Sequence, residues 1–281
     1  MKLEIENNYN EGVRLDDSGH YIFDYEKDFE SDIIKLTSGT GGQGTLNNEP
    51  FYYAYELNDN VKPNIQKAFR DALKHKMTDK HVFFSEQAFD FVECGIGRMY
   101  NMRSMDDFSL VISTATHYGE KTLAGLMCVY IWDTVKSTVE TYDKFHLELF
   151  KKHCQEVTFD EERARKALMQ TTRYGKDIRK VDDAIEHIKG LFEQAKINND
   201  LFTMKAYKPV IGRAGFIDFL KFKDDADQNV YRNLRAGKEV LICDDFLTSG
   251  ATIEEIKRFL RTINPDVKLS VFVLVNQLRS Y

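Results

Sequence analysis

Two adjacent carboxylates and a hydroxyl-rich turn stand within nine positions of one another, from Asp244 to Thr252. The pair Asp244-Asp245 follows the apolar run Val240–Cys243, which predicts a buried strand, and an amphipathic helix is predicted from Ile253 to about Thr262. Backbone N–H groups at a helix N-terminus bind phosphate, and carboxylates beside them bind sugar hydroxyls or a divalent cation. The pattern therefore favours a site for a phosphorylated sugar. The simpler interpretation of the acidic pair is a helix cap and turn former.

A second strand–loop–helix unit precedes this one in the chain. Residues 107–113 predict a strand, the loop Thr114-Ala115-Thr116-His117-Tyr118-Gly119 follows, and a strongly apolar helix is predicted from Glu120 to about Trp132. Parallel strands need crossover connections of this kind, so two such units predict a doubly wound α/β core. Because ligands bind at the carboxyl ends of the strands in such sheets, the second loop is a candidate anion site as well as an ordinary connection.

The segment Val240–Thr252 resembles the signature of the type I phosphoribosyltransferases, which bind 5-phosphoribosyl-1-pyrophosphate (PRPP). The resemblance is tight over these thirteen residues and extends more loosely over 107–132 and 240–276. It implies a parallel sheet flanked by helices and an enzyme that moves the phosphoribosyl group of PRPP to a nucleobase or related nitrogen nucleophile, releasing pyrophosphate. It also implies Mg²⁺, carried by the substrate and held by Asp244 and Asp245 if the protein contributes ligands.

The resemblance assigns roles to individual positions. Asp244 and Asp245 are the implied catalytic contacts to the ribose, and the 5-phosphate is held by Thr248, Ser249, Gly250, Ala251 and Thr252. The pyrophosphate loop is matched in place, though not in detail, by Thr114, Ala115, Thr116, His117, Tyr118 and Gly119. Arg213 is a further candidate for pyrophosphate because a guanidinium binds phosphate in a bidentate manner; a solvated ion pair explains it equally well.

The chain departs from the family pattern between the two loops. The chain between these loops is longer than the family core needs. The additional residues predict a large helical insertion at about 133–200, since the pattern of residues 133–198 is almost entirely that of helix. We therefore expect an N-terminal, hood-like region over 1–100 and a phosphoribosyltransferase-like core over 101–281. The family's mobile catalytic hairpin is not obvious; residues 208–213 and 216–222 predict strands, and 209–222 is its only candidate.

Two other functions stay open at this stage. The fold is also compatible with a regulatory protein that senses PRPP or a nucleotide without transferring it, and with an interaction protein whose helical insertion carries the function. The charged faces of that insertion predict solvated surface or, alternatively, an interface with a partner or a second copy.

The composition of the chain limits the classes of molecule that we expect it to bind. The formal net charge of −6 argues against a broad nucleic-acid surface, and no apolar run is long enough to span a membrane. The four cysteines show no paired spacing, which predicts reduced thiols in a cytoplasmic protein, and no zinc-type ligand spacing is present. A glycine-rich run at 39–44 formally matches a dinucleotide motif, but the aromatic run Phe51–Tyr55 after it predicts a strand, so a hairpin or loop is the better interpretation.

Overall fold

An eight-stranded sheet organises the chain and is mainly parallel at its centre. The computed structural model describes residues 13–15, 17, 21–23, 34–35, 41–46, 48–58, 61–73, 85–103, 108–116, 123–136, 146–175, 177–234, 239–248 and 250–277. The strands are β1 Val13–Leu15, β2 Tyr21–Phe23, β3 Ile34–Lys35, β4 Gly42–Leu46, β5 Glu49–Leu57, β6 Phe108–Thr116, β7 His146–Lys151, β8 Thr158–Phe159, β9 Phe216–Ile217, β10 Leu220–Phe222, β11 Glu239–Leu247 and β12 Lys268–Asn276.

The strand order across the sheet is β10-β7-β6-β11-β12-β5-β3, and β4 also pairs with β5. Strands β7, β6, β11, β12 and β5 are parallel to one another, whereas β10 is antiparallel to β7, and β3 and β4 are antiparallel to β5. Strand β11, which carries the acidic pair, therefore lies in the middle of the sheet. The predicted hairpin before Phe51 is confirmed as β4 and β5, and Phe51–Tyr55 is a strand as predicted.

Helices cover both faces of the sheet. They are α1 Pro63–Leu73, α2 Ser85–Met102, α3 Leu123–Lys136, α4 Glu161–Met169, α5 Ile178–Ile197, α6 Asp225–Arg232 and α7 Ala251–Ile263. One core joins α1, α2 and α3 to the face that carries Leu241, Cys243 and Phe272. The other joins α5 and α7 to the face that carries Val240 and Ile242. This arrangement confirms the predicted α/β class. No helix among those described is long and apolar enough to cross a membrane.

The prediction of continuous helix over 133–198 is wrong between α3 and α4. Residues His146–Lys151 form strand β7, which pairs in parallel with β6 through Val111 and Ile112. Leu147 and Leu149 are buried and alternate with partly exposed residues, which is the period of a strand. The sheet therefore gains a strand inside the predicted insertion, and the described residues after that strand form the helices α4 and α5 with short 3₁₀ turns.

The insertion leaves the sheet at the end of β7 and returns in β10, whose Leu220 pairs with Lys151. Its own core is aromatic and includes Phe192, Phe202, Tyr207 and Phe216. The predicted strand at 208–213 is wrong, because residues Val210–Gly215 form a 3₁₀ helix. The predicted hairpin at 209–222 is also wrong: β9 pairs with β8 and β10 pairs with β7, not with each other.

Candidate functional site

The acidic pair lies within the carboxyl-terminal part of strand β11, which continues to Leu247 instead of ending at Cys243 as predicted, because Phe246 and Leu247 also pair with β12. Asp244 is partly exposed and Asp245 is buried at 7% exposure. The Asp245 N–H donates to Oδ1 of Asp244 at 2.9 Å, and the Phe246 N–H donates to Oδ1 of Asp245 at 2.7 Å. Each carboxylate thus accepts a backbone hydrogen bond from the residue after it. These local bonds fix both side chains at the edge of the sheet where ligands bind in α/β proteins.

The alternation of side chains between the two faces breaks at this pair. Val240, Ile242 and Leu247 belong to the core under α7, while Leu241, Cys243 and Phe246 belong to the opposite core. Asp244 and Asp245 lie where the core contacts of β11 change from one face to the other. The pairing with β12 keeps the same register through this point, from Cys243↔Phe272 to Leu247↔Asn276, so the acidic pair lies in a continuously paired strand.

The turn after β11 brings the chain to the N-terminus of α7. Thr248 is exposed, and Ser249 lies outside the described residues. Gly250 is the N-cap of α7 with φ at 72°, in the left-handed region that glycine adopts without steric cost. The first helical bond runs from the Glu254 N–H to the Gly250 carbonyl at 2.9 Å. The first-turn N–H groups of a helix have no intrahelical acceptor, so this end of α7 suits an anion.

The β4–β5 hairpin packs along the same helix. A Cβ placed on Gly250 would lie 2.6 Å from Cδ1 of Leu46, so the Leu46 side chain is in contact with the Gly250 backbone. Glu49, three residues later, accepts from Lys257 Nζ at 2.8 Å and from Arg261 at 2.8 Å. The turn between β4 and β5 is therefore fixed to α7 by one apolar contact and two ion pairs. The sequence analysis did not predict this contact between the β4–β5 turn and α7, because no local pattern in either segment indicates it.

The carboxyl end of β12 also contacts the turn. The Gln277 N–H donates to the Leu247 carbonyl at 2.9 Å, and Gln277 Nε2 donates to Oε1 of Gln66 on α1 at 2.9 Å. Gln66 is itself buried and donates to the Val61 carbonyl. These amides connect the start of α1 to the residue that precedes Thr248. Sequence reasoning missed them as well, because each bond joins distant parts of the chain.

The predicted pyrophosphate loop begins later than expected. Thr114, Ala115 and Thr116 continue strand β6 instead of forming a loop, because β7 offers a pairing partner as far as Thr116↔Phe150. The register shifts between Ser113 and Thr116, so one extra residue is accommodated at this end of β6. His117, Tyr118 and Gly119 lie outside the described residues. Their role stays a prediction.

Arg213 lies on the insertion, in the 3₁₀ helix before β9. Its Nε donates to the Tyr207 carbonyl at 2.7 Å, and burial lowers the pKa of the guanidinium from its ordinary value. The structure thus gives Arg213 a contact within the insertion. Its predicted role toward pyrophosphate stays a prediction.

A magnesium ion is compatible with the oxygen ligands that Asp244 and Asp245 offer. Within the described residues no group of three or more His, Cys, Asp or Glu side chains is arranged to hold a metal ion. Asp244 and Asp245 would supply carboxylate ligands, and substrate oxygens and water would complete the coordination of the ion. This donor set suits a cation that arrives with a phosphorylated substrate.

Comparison with known families agrees with this geometry. Residues 221–280, which span α6, β11, α7 and β12, match the family described as the phosphoribosyl transferase domain. This segment of the chain is similar to a phosphoribosyl transferase domain. The family resemblance predicted from Val240–Thr252 is therefore confirmed, and the matched segment includes the acidic pair and the Gly250 turn. Among curated proteins the chain has no match.

Proposed function

We propose that this protein is a Mg²⁺-dependent phosphoribosyltransferase that moves the 5-phosphoribosyl group of PRPP to a nucleobase or related nitrogen nucleophile and releases pyrophosphate. One observation carries the proposal: the Asp244-Asp245 pair lies near the carboxyl end of a central strand, shortly before the Gly250 cap of α7, within the matched family segment. Carboxylates for the ribose and helix N–H groups for the 5-phosphate are thereby adjacent.

The chemistry explains why these groups are needed together. When pyrophosphate leaves the anomeric carbon, positive charge develops on the ribose ring and negative charge on the leaving group. Carboxylates at Asp244 and Asp245 would stabilise the ring and orient its hydroxyls, and Mg²⁺ would neutralise the pyrophosphate oxygens. In acyl-transfer enzymes, loss of one such preorganised contact costs about 3 kcal/mol of transition-state stabilisation.

The phosphate would be held by the turn that follows. Thr248, Ser249, Gly250, Ala251 and Thr252 supply the proposed N–H and hydroxyl donors, and the left-handed Gly250 sets their direction. Leu46 covers the Gly250 backbone from one side, which excludes water and strengthens the nearby charge-assisted hydrogen bonds. We assign the pyrophosphate to the segment from Thr114 to Gly119, whose first three residues are the end of β6, the strand beside β11, with Arg213 as a further candidate contact.

Calorimetric titration of PRPP with Mg²⁺ tests the site. Wild type should bind in a saturable manner, and Asp244→Asn/Asp245→Asn should weaken binding by at least about tenfold, since charge-assisted bonds to the ribose are lost. Asp183→Asn/Asp266→Asn is the matched control, because both side chains are exposed and the charge change is the same. Absence of wild-type binding, or equal loss in the control, would contradict the proposal.

Binding of PRPP without transfer is the second candidate function, and one observation favours it. Residues 209–222, the predicted candidate for a mobile catalytic hairpin, are packed into the protein, with Phe216, Phe219 and Leu220 buried. Pyrophosphate release with a panel of purine and pyrimidine bases distinguishes the two. Release with any base supports transfer, whereas saturable PRPP binding with no release across the panel supports a sensor.

A further inference from the structure

Two side-chain amides connect the start of α1 to the turn that follows β11. Gln66, in the first turn of α1, is 6% exposed, and its Nε2 donates to the Val61 carbonyl at 2.9 Å. Its Oε1 accepts from Nε2 of Gln277 at 2.9 Å. The backbone N–H of Gln277 donates in turn to the Leu247 carbonyl, also at 2.9 Å. Val61, Gln66, Gln277 and Leu247 are thus linked in series by hydrogen bonds, here called the amide relay.

The direction of the amide relay is fixed by its first bond. A backbone carbonyl can only accept, so the group that Gln66 directs at Val61 must be its NH₂ group. The Oε1 of Gln66 therefore faces Gln277, which must supply its own NH₂ group in return. Flipping either amide would place two acceptors or two donors against each other. The relay consequently has one hydrogen-bonded arrangement, which restrains the position of Gln277.

Stability alone does not explain the amide relay. The Oε1 of Gln277 is buried and has no hydrogen-bond partner within the described part of the chain. A buried acceptor without a partner costs free energy, and apolar side chains of the same shape would fill this space without that cost. The relay therefore contributes something besides stability, and the group that it reaches is the peptide between Leu247 and Thr248.

That peptide group carries the first N–H donor of the proposed phosphate turn. The peptide is trans, so its C=O and its N–H point in opposite directions. The Leu247 C=O points toward β12, where the Gln277 N–H binds it. The Thr248 N–H therefore points the other way, toward the side of β11 on which β6 lies.

The sheet makes no use of this donor. Among the described residues, the last pair between β11 and β6 is Cys243↔Ser113, and β6 itself ends at Thr116. Thr248 is exposed, and it stands two residues before Gly250, the N-cap of α7. A donor whose direction is already fixed beside a helix N-terminus suits a phosphate oxygen.

We propose that Gln66 and Gln277 are positioning residues for the 5-phosphate of PRPP and act through the Thr248 N–H. The inference rests on the proposed function, because it requires phosphate to bind at the turn between β11 and α7. Neither glutamine contacts the ligand in this proposal. The amide relay sets the direction of the Leu247–Thr248 peptide before the ligand arrives, so less ordering is needed on binding.

Gln66→Met and Gln277→Met test the relay, since methionine has nearly the shape of glutamine and cannot replace its hydrogen bonds. Calorimetry with ribose 5-phosphate, which carries the 5-phosphate without pyrophosphate, gives the affinity of the turn. Each variant should raise the Kd about fivefold, the usual worth of one hydrogen bond. The double variant should bind no more weakly than the weaker single variant, because both changes interrupt the same series of bonds.

Asn264→Leu is the matched control for loss of a buried amide. Asn264 is the C-cap of α7, far from the turn in sequence, and donates to the Tyr231 and Leu234 carbonyls. This variant should lower the free energy of unfolding in urea but keep the Kd for ribose 5-phosphate within about twofold of wild type. The Thr248 amide resonance of the free protein should move in both relay variants and stay in place in Asn264→Leu.

The outcomes separate this inference from the proposed function. Relay variants that bind ribose 5-phosphate as tightly as wild type would overturn the role of Gln66 and Gln277 and leave the proposed function standing. An equal loss of affinity in Asn264→Leu would also overturn it, because general destabilisation would then explain the effect. A wild type that binds neither ribose 5-phosphate nor PRPP with Mg²⁺ would overturn both.

Discussion

Leu46, the last residue of β4, is in van der Waals contact with the backbone of Gly250, the residue that caps α7. The contact places a side chain from the N-terminal third of the chain directly against the proposed phosphate turn. It also makes Gly250 a position with two independent constraints. Its φ of 72° disfavours any other residue, and the space for a Cβ is already filled.

Gly250→Ala should destabilise the protein by about 1–2 kcal/mol from the left-handed backbone alone, with a further contribution from the clash with Leu46. Urea unfolding measures the change. Combining it with Leu46→Ala should remove the steric part, so the double variant should be more stable than the two single losses predict. Gly190→Ala is the control: nothing lies within 4 Å of its Cβ position in α5, and it should be neutral or stabilising.

The Glu49–Lys257 pair should show a coupling energy of about 1 kcal/mol in a double-mutant cycle with Glu49→Gln and Lys257→Met. Lys257 is 2% exposed but also contacts Glu254, and Glu49 is more than one-third exposed, which limits the coupling. Burial acts to raise the pKa of Glu49, but hydrogen bonds from Lys257 and Arg261 outweigh it and lower that pKa. A coupling near zero at neutral pH would contradict this account.

The sign of the pH dependence follows from that lowered pKa. The folded state holds the Glu49 carboxylate ionised to lower pH than the unfolded state does, so its contribution to stability is present above the ordinary value of 4.5 and is lost as pH falls through the lower folded value. The coupling energy should therefore be constant between about pH 6 and 8 and decline below about pH 4.5.

Glu255 should be among the most costly acidic residues of α7 to remove. It is 2% exposed, accepts from Arg258 Nε at 2.7 Å and accepts from the Asp218 N–H at 2.8 Å, which joins α7 to the return of the insertion. Glu255→Ala leaves a partly buried guanidinium and an N–H without these bonds, and should cost about 3 kcal/mol in urea unfolding. Glu186→Ala, which breaks an exposed pair with Lys189, should cost no more than about 0.5 kcal/mol.

His146 should make the protein less stable in mild acid. Burial lowers the pKa of its imidazole, with Glu148 and Asp227 opposing, and its buried Nε2 has no hydrogen-bond partner. The unfolded state therefore binds a proton at a higher pH, so the free energy of unfolding should fall as pH drops below 6.5. His146→Gln should flatten this fall between about pH 7.5 and 5.5, whereas His187→Gln, at an exposed position, should retain the wild-type slope.

The parts of the fold that the sequence predicts correctly are those set by neighbours in the chain. Val240–Thr262 contains a buried apolar run, an acidic pair, a glycine turn and an amphipathic helix; the strand and the helix form as predicted, although the strand continues past the acidic pair to Leu247. Strand β7 was missed because His146–Lys151 is short and its apolar residues fit a helix about as well as a strand. Pairing with β6, which no local pattern reveals, decides between the two.

The surroundings of the site could not be predicted for the same reason. Leu46, Glu49, Gln66 and Gln277 reach the turn after β11 only through the tertiary fold. The structure also changes the boundaries of the insertion. Removing residues 133–198, the range predicted to be helical, would delete strand β7 of the sheet. The segment between Lys151 and Leu220, in contrast, starts and ends at residues that pair with each other.

The strand order has a consequence for how the protein folds. Strands β5 and β6 are separated in the sheet by β11 and β12, which come much later in the chain. Until those two strands are synthesised, the backbone N–H and C=O groups on the facing edges of β5 and β6 lack their native partners, and the native pairing requires closure of long loops. We therefore expect the centre of the sheet to form late, with the proposed catalytic residues among the last to reach their positions. An incomplete chain should expose unpaired strand edges, which bind chaperones and other copies of the chain.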